Sequence, residues 1–137
     1  MKAVAFLAFH FPVTEVVFVD KIFVSIESRR KKHGTTLMEN LPPHERVELI
    51  AKKENKTALS FYASLNMRSS SSSFYDPHDN EILLSGRITR KRSPDCSAPL
   101  CWTDLTEDQK QYMRLNIIDA NVLQVGDERM RYVLQYE

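Results

Sequence analysis

The first 27 residues constrain the fold most strongly, because their composition is that of β-strands. Residues 2–10 and 13–26 are rich in β-branched and aromatic side chains, which favour strands. Pro12 separates the two runs, and proline is poorly tolerated inside a central strand. The dipeptide Asp20-Lys21 offers a further turn. We therefore predict two or three mostly buried strands before residue 27.

The first residues also resemble the charged start and short apolar core of a signal peptide. His10, Phe11 and Pro12 end the apolar run, however, and no small-residue cleavage site follows cleanly. The run is also far shorter than the ~20 apolar residues that span a bilayer. A buried first strand is the favoured interpretation, with no transmembrane segment.

A helical period follows between residues 43 and 66. Pro42-Pro43 and Glu45 suit the first turn of a helix. Apolar side chains then recur at helical spacing, at Val47, Ile50, Ala51, Ala58, Phe61, Tyr62 and Leu65. This pattern predicts one long helix or two consecutive ones.

A second helix is predicted to begin at Thr103 or Thr106. Thr106-x-x-Gln109 fits a capping box, in which each side chain bonds the backbone N–H of the other residue. The apolar face of this helix consists of Leu105, Tyr112, Met113, Leu115 and Ile118.

Two further regions have strand character. Residues 81–89 alternate in polarity, and Gly126-Asp127 lies between two β-rich runs, at 122–125 and 129–136, which is the signature of a hairpin. We predict an α+β fold, a single domain over residues 1–137, with two main helices packed on one face of a largely antiparallel sheet. Mobile loops are expected at about 28–40, 67–80 (with the serine run 69–73) and 90–102.

Positive charge is concentrated in two short basic clusters. The first is Arg29, Arg30, Lys31 and Lys32, and the second is Arg87, Arg90, Lys91 and Arg92. They hold eight of the 19 Lys and Arg residues of a chain whose formal net charge is only +1. Concentrated cationic charge attracts phosphates, anionic lipids, acidic partners or nuclear import receptors.

Both clusters are therefore candidate anion-binding sites, with nucleic acid as the most favoured partner. Phe74, Tyr75 and Trp102 are candidates for stacking on bases. No established nucleic-acid motif is present, so an import signal or a solvated surface stays open as an alternative. Ser93 follows the second cluster and precedes a proline, which makes it a candidate phosphorylation site whose charge would weaken anion binding.

Other classes of site find little support. Asp76, His78, Asp79 and Glu81 crowd together, but they lack the central glycine and distal glutamate of a calcium loop. The scarce glycines form no phosphate-cradling loop. We expect no metal and no cofactor. Cys96 and Cys101 are interpreted as free thiols of an intracellular, cytoplasmic or nuclear, protein.

No local motif supports nucleophilic or acid–base catalysis. His10 lies in an apolar strand and is interpreted as a core residue; an enzyme would require a pocket around a residue such as His44 or His78. The sequence thus favours a non-enzymatic protein that binds nucleic acid through its basic clusters. A viral accessory or matrix-like protein would fit this hypothesis.

Self-association is expected through a surplus of aromatic side chains on the N-terminal strands. The alternative is a protein–protein adaptor, in which the basic clusters serve nuclear import or are only solvated surface.

Overall fold

A computed structural model describes residues 2–71, 74–117 and 122–137. These residues form six strands and three α-helices, in the order β1 (Ala3–Val13), β2 (Val16–Val24), α1 (His33–Glu39), β3 (Arg46–Lys52), α2 (Lys56–Ser64), β4 (Arg68–Ser69), β5 (Glu81–Gly86), α3 (Glu107–Asn116) and β6 (Arg131–Tyr136). The fold is therefore α+β, as the sequence predicts.

The six strands form one mixed sheet in the order β4-β5-β3-β2-β1-β6. β1 and β2 are an antiparallel hairpin whose turn includes Glu15, with φ of 71°. β6 pairs antiparallel with the other edge of β1, and β5 pairs antiparallel with both β3 and β4. β2 and β3 are parallel, so the sheet is mixed rather than wholly antiparallel.

The parallel pair at the centre of the sheet is short. β2 and β3 are paired only from Val16 opposite Arg46 to Phe18 opposite Glu48. Both strands continue beyond this point, β2 to Val24 and β3 to Lys52. The strands therefore separate, and a gap opens between their C-terminal halves.

Both faces of the sheet are covered by helices. Successive side chains of a strand point to opposite faces, so β1 contributes to the core on each side. Ala5, Leu7 and Phe9 of β1 pack with buried residues of α1 and α2. Phe6 and Ala8 pack on the opposite face, with Met113 of α3. The prediction that the helices lie on one face is wrong: α1 and α2 cover one face, and α3 covers the other.

The prediction of helix over residues 43–66 is wrong for its first half. Residues 46–52 form β3, a central strand in which Val47, Leu49 and Ala51 face α1 and α2 while Ile50 faces the opposite side. A strand buried on both faces is apolar at almost every position, so its residues also match a helical period. Only the second half is helical, as α2, which Asn55 caps by accepting a hydrogen bond from the N–H of Ala58 at 3.1 Å.

Helix α3, the second of the two predicted helices, begins where the sequence predicts. The Thr106 hydroxyl accepts from the N–H of Gln109 at 3.1 Å, and the Gln109 side chain accepts from the N–H of Thr106 at 2.8 Å. The capping box is therefore confirmed. Ile118, assigned to the apolar face of this helix, lies outside the described residues.

Two predicted turns differ in the structure. Residues 122–125 form no strand, so Gly126-Asp127 does not close a hairpin; β6 pairs with β1 instead. Asp20-Lys21 is a bulge within β2, not a turn between strands, because Phe9 pairs with Val19 and Ala8 pairs with Lys21.

The three predicted mobile loops each contain ordered contacts in the structure. The first contains α1, and the second contains β4, where Ser69 pairs with β5. Ser72 and Ser73 of the serine run lie outside the described residues. In the third, Cys96 and Leu100 form bridges with β6. The mobility of these segments stays a prediction.

Candidate active site

A cleft occupies the gap between the C-terminal halves of β2 and β3. It has a volume of about 1070 Å³, and its lining comes from both strands, from the segment that joins β2 to α1, and from α2. This volume is at the upper end of the range for ligand sites. The chain thus provides room for a large ligand at the point where two parallel strands separate.

The first basic cluster lies along one side of this cleft. Arg29, Arg30 and Lys32 line the cleft, and all three side chains are exposed. Arg29 Nε donates to the carbonyl of Val24 at the end of β2, at 3.0 Å. Arg30 and Lys32 adopt left-handed backbone conformations, with φ of 68° and 62°. The loop thus turns sharply beside the cleft and concentrates cationic groups there.

The side chain of Glu137 binds this basic loop from the other side. One carboxylate oxygen accepts from Lys31 Nζ at 2.9 Å, and the other lies 2.6 Å from Nε2 of His33. The hydrogen bonds from Lys31 and His33 hold the pKa of Glu137 below its ordinary value. Part of the loop's positive charge is therefore neutralised within the protein.

The second basic cluster lies at the opposite end of α1. The N–H of Lys91 donates to the carbonyl of Glu39, the last residue of this helix, at 2.9 Å. Arg87, Arg90 and Arg92 are exposed. A seven-residue helix, about 10 Å long, therefore separates the two clusters. Ser93, the candidate phosphorylation site, is partly exposed, and its N–H donates to Asn40 Oδ1 at 3.3 Å.

Helix α2 supplies a further part of the cleft lining. Phe61 and Tyr62 both line it. Tyr62 is 8% exposed, and burial raises the pKa of its phenol to about 12. Like any tyrosine phenol it is protonated at neutral pH and can donate, and the raised pKa makes it a weaker acid than an exposed tyrosine. The helical spacing predicts Tyr62 on the apolar stripe of a helix, a pattern that does not distinguish a cleft residue from a core residue.

The bulge in β2 brings Asp20 to the cleft. Asp20 lines the cleft and is fully buried from solvent, as is the adjacent His10 at 2% exposure. Asp20 Oδ2 lies 2.6 Å from His10 Nδ1, and His10 Nε2 lies 2.6 Å from the Tyr75 hydroxyl. An aspartate inside a run of apolar strand residues was the signal for this site, but the turn interpretation of Asp20-Lys21 concealed it.

The three aromatic residues predicted to stack on bases have different environments. Phe74 is 50% exposed. Tyr75 packs edge-on against Phe18, with ring centroids 4.8 Å apart. Trp102 packs on Tyr132 at 5.6 Å, and the Arg114 guanidinium lies 5.3 Å from its ring. The structure thus gives Tyr75 and Trp102 partners within the protein.

Cys96 and Cys101 are both free thiols, and burial raises the pKa of Cys96 to about 12. Over the described ranges, no group of three or more His, Cys, Asp or Glu residues is placed to hold a metal ion. In the same ranges, no helix has the length and apolar character needed to cross a membrane.

No protein-family model and no curated protein sequence matches the chain. Among solved structures, it is similar to the crystal structure of the ribosomal-protein-S18-alanine N-acetyltransferase from Escherichia coli, with a TM-score of 0.48 and 19% sequence identity. The similarity covers 66% of this chain and 65% of that enzyme. The chain therefore spans less than two thirds of the enzyme's length.

This neighbour corrects the functional part of the sequence analysis. The predictions of a non-enzymatic protein, of nucleic-acid binding and of a viral accessory role are contradicted, because the neighbour is an acetyltransferase. The description as a phosphoprotein likewise finds no support. A likeness at this level describes the fold, so the activity of this chain is inferred from its own cleft.

Proposed function

We propose that this protein is an acetyltransferase that binds acetyl-CoA in the cleft between β2 and β3. It would transfer the acetyl group to an amine. The observation that carries the proposal is one strand-lined cleft whose lining includes both the basic loop and the buried Tyr62 of α2.

The form of the cleft suits the elongated part of CoA. Between the diphosphate and the thiol, CoA carries a linear chain with amide groups. The separated edges of β2 and β3 offer backbone groups to such a chain, in the way that a sheet edge binds an extended peptide. Beyond residues 18 and 48 the two strands are no longer paired with each other, so the gap between them is available to a ligand.

The basic loop suits the diphosphate. Arg29, Arg30 and Lys32 place three cationic side chains along the cleft. Arginine binds phosphate oxygens through two donors at once, and lysine adds a mobile point charge. The anion-binding role predicted for this cluster is retained here, with a cofactor diphosphate as the anion.

Tyr62 suits the thiol end. CoA supplies an activated acetyl thioester, and its sulfur leaves as a thiolate when the acetyl group is transferred. A phenol that stays protonated beside the cleft can donate a proton to that sulfur. Burial of Tyr62 among apolar residues maintains the protonated form up to a pH of about 12.

The first experiment measures CoA binding by titration calorimetry. The chain is expected to bind CoA, and replacing Arg29, Arg30 and Lys32 together by alanine should weaken binding at least tenfold. The matched control replaces Arg87, Arg90 and Arg92, which lie at the other end of α1, and should leave the affinity unchanged. Pantetheine, which lacks the diphosphate, should bind much more weakly and should not distinguish the two variants.

Transfer is then followed as release of free CoA thiol from acetyl-CoA in the presence of amines. Tyr62→Phe should lower the rate by about 10²–10⁴-fold while CoA affinity changes little. If CoA does not bind at ~1 mM, the proposal is wrong. A dissociation constant of that size corresponds to a binding free energy of about −4 kcal/mol. Equal loss of affinity in both triple variants would also contradict the placement of the diphosphate.

The intracellular location and the self-association predicted from the sequence remain proposals. An intracellular location is consistent with the two free thiols.

A further inference from the structure

Two lysines that line the cleft are not used by the proposed cofactor site. Lys21 lies in β2 and Lys52 ends β3, so they come from the two strands between which the cleft opens. Pairing of these strands ends at Phe18 and Glu48. At ~3.3 Å per residue, Lys21 and Lys52 lie about 10 and 13 Å beyond that point. Both residues therefore lie where the strands have separated.

Both lysines belong to the face of the sheet that α3 covers. Lys21 pairs with Ala8, which packs on that face with Met113 of α3, and residues paired across antiparallel strands share a face. Lys52 follows Ile50 by two residues in β3, so it shares the face of Ile50, away from α1 and α2. The basic loop leads into α1, which covers the other face. The lining of the cleft is therefore cationic towards both faces.

The positive charge of this lysine pair is not neutralised by the carboxylates around it. Within the part of the chain that the structure describes, neither lysine forms an ion pair. Asp20, an acidic residue of the cleft lining, is fully buried and bonded to His10. Glu81 lies opposite Lys52, but its carboxylate accepts from the N–H of His78 at 2.9 Å. The two ammonium groups are therefore available to a ligand.

Positive charge at this place constrains the amine that accepts the acetyl group. A simple amine is an ammonium ion at neutral pH, and neighbouring cations repel it. The same cations lower the pKa of a bound ammonium, which favours the neutral amine that attacks a thioester. An acceptor benefits from this effect only if something else attracts it to the cleft. An acidic group on the acceptor supplies that attraction, because complementary charges select one partner against others.

Resting on the proposed function, we propose that the acceptor is a small amine with a free carboxylate, such as an amino acid or a short peptide, and that Lys21 and Lys52 bind this carboxylate. The acceptor enters from the α3 face, while acetyl-CoA has its diphosphate at the basic loop. Tyr62 belongs to the core on the α1 and α2 face, so the amine and the proton donor to sulfur approach the acetyl group from opposite sides. The cleft volume of about 1070 Å³ must also hold the cofactor, which limits the acceptor's size.

The test compares acceptors that differ only in one carboxylate. Glycylglycine is paired with glycylglycinamide, and 6-aminohexanoate with its amide. In each pair the group that differs lies at the far end of the molecule from the attacking amine. Release of CoA thiol at saturating acetyl-CoA, over a range of acceptor concentrations, gives kcat/KM for each amine. The CoA affinity and the thermal unfolding midpoint of every variant are measured beside it.

The parent is expected to use each acid with a kcat/KM about tenfold or more above that of its amide, the size of a hydrogen bond to a charged group. Lys21→Gln and Lys52→Gln should each reduce this preference severalfold, and the double variant should abolish it. The kcat/KM of the amides and the CoA affinity should change little. Lys53→Gln is the matched control, because Lys53 is an exposed neighbour that does not line the cleft, and it should keep the parent preference.

Several results would overturn this assignment. The parent could use the amides as well as the acids, or use none of the four amines although it binds CoA. The preference for acids could persist in the double lysine variant. The lysine variants could also lose as much CoA affinity as the variant of the basic loop, which would assign the lysines to the phosphates of the cofactor. Failure of CoA binding in the parent would instead overturn the proposed function, so the two failures are distinguishable.

Discussion

Gly34 lies directly against the ring of Phe61, so that a Cβ atom built on Gly34 would be 3.0 Å from Phe61 Cζ. Both residues line the cleft, one from α1 and the other from α2. The absence of a side chain at residue 34 is therefore what allows α2 to close on the basic loop.

Gly34→Ala is expected to change the cleft more than the stability. Alanine gains about 1 kcal/mol in a helix, which offsets a similar overpacking cost, because the half-buried Phe61 ring can shift. The displaced ring should narrow the cleft and weaken CoA binding severalfold. Unchanged CoA affinity in Gly34→Ala would show that the ring moves away from the cleft.

Thr106→Ala should destabilise the chain by about 1 kcal/mol, because it removes the hydroxyl that caps α3. Thr106→Ser keeps the acceptor and should cost much less. Urea unfolding measures both variants. A loss as large for serine as for alanine would mean that the threonine methyl group, rather than the cap, stabilises this helix end.

Tyr62 makes stability depend on pH in the alkaline range. Its pKa is raised from 10.0 to about 12 in the folded state. Below pH 10 the phenol is protonated in both states. Above it the unfolded chain loses the proton first, so stability is lost as pH rises towards 12. The loss is about 2–3 kcal/mol.

The measurement compares urea unfolding of the parent and Tyr62→Phe between pH 9 and 12. The comparison is needed because the Cys96 thiol contributes in the same direction, its pKa being raised from 9.0 to about 12. The stability of Tyr62→Phe should fall less steeply with pH. Parallel curves would show that the phenol is not buried in solution.

Glu137→Gln should tighten CoA binding about two- to fivefold at low salt. The substitution removes the carboxylate that pairs with Lys31 and His33 and leaves more positive charge for the diphosphate. The magnitude is that of an exposed ion pair. Calorimetry at low and high salt measures it, and the gain should vanish at high salt. Weaker binding would mean that Glu137 instead holds the loop in its binding conformation.

Local sequence patterns correctly predicted those elements whose residues are characteristic of one kind of structure. The capping box located α3, and the β-branched runs located the first hairpin. Residues 46–52 were misassigned because a strand buried on both faces has no polar alternation to distinguish it from a helix. Helix α1 was missed because its sequence, His-Gly-Thr-Thr-Leu-Met-Glu, has low helix propensity and is stabilised by burial of Leu37 and Met38.

Of the residues that line the candidate site, the sequence indicated only the basic cluster. The cluster 29–32 was predicted to be an anion site from charge alone, and its anion-binding role stays a prediction. Asp20 and Tyr62 line one cleft only through the bulge and the separation of β2 from β3, which depend on pairing between distant segments. No spacing along the chain indicates such an assembly.

The two edges of the sheet have different consequences for aggregation. Residues 95–100 cover the outer edge of β6, where Leu100 and Tyr132 exchange backbone hydrogen bonds at 2.8 and 2.9 Å. The opposite edge, β4, is only two residues long and carries the exposed Arg68. Long unpaired edges are the templates on which strands of separate molecules add to one another. Among the described residues, one outer edge is covered and the other is short, so growth into fibrils by strand addition at these two edges is disfavoured.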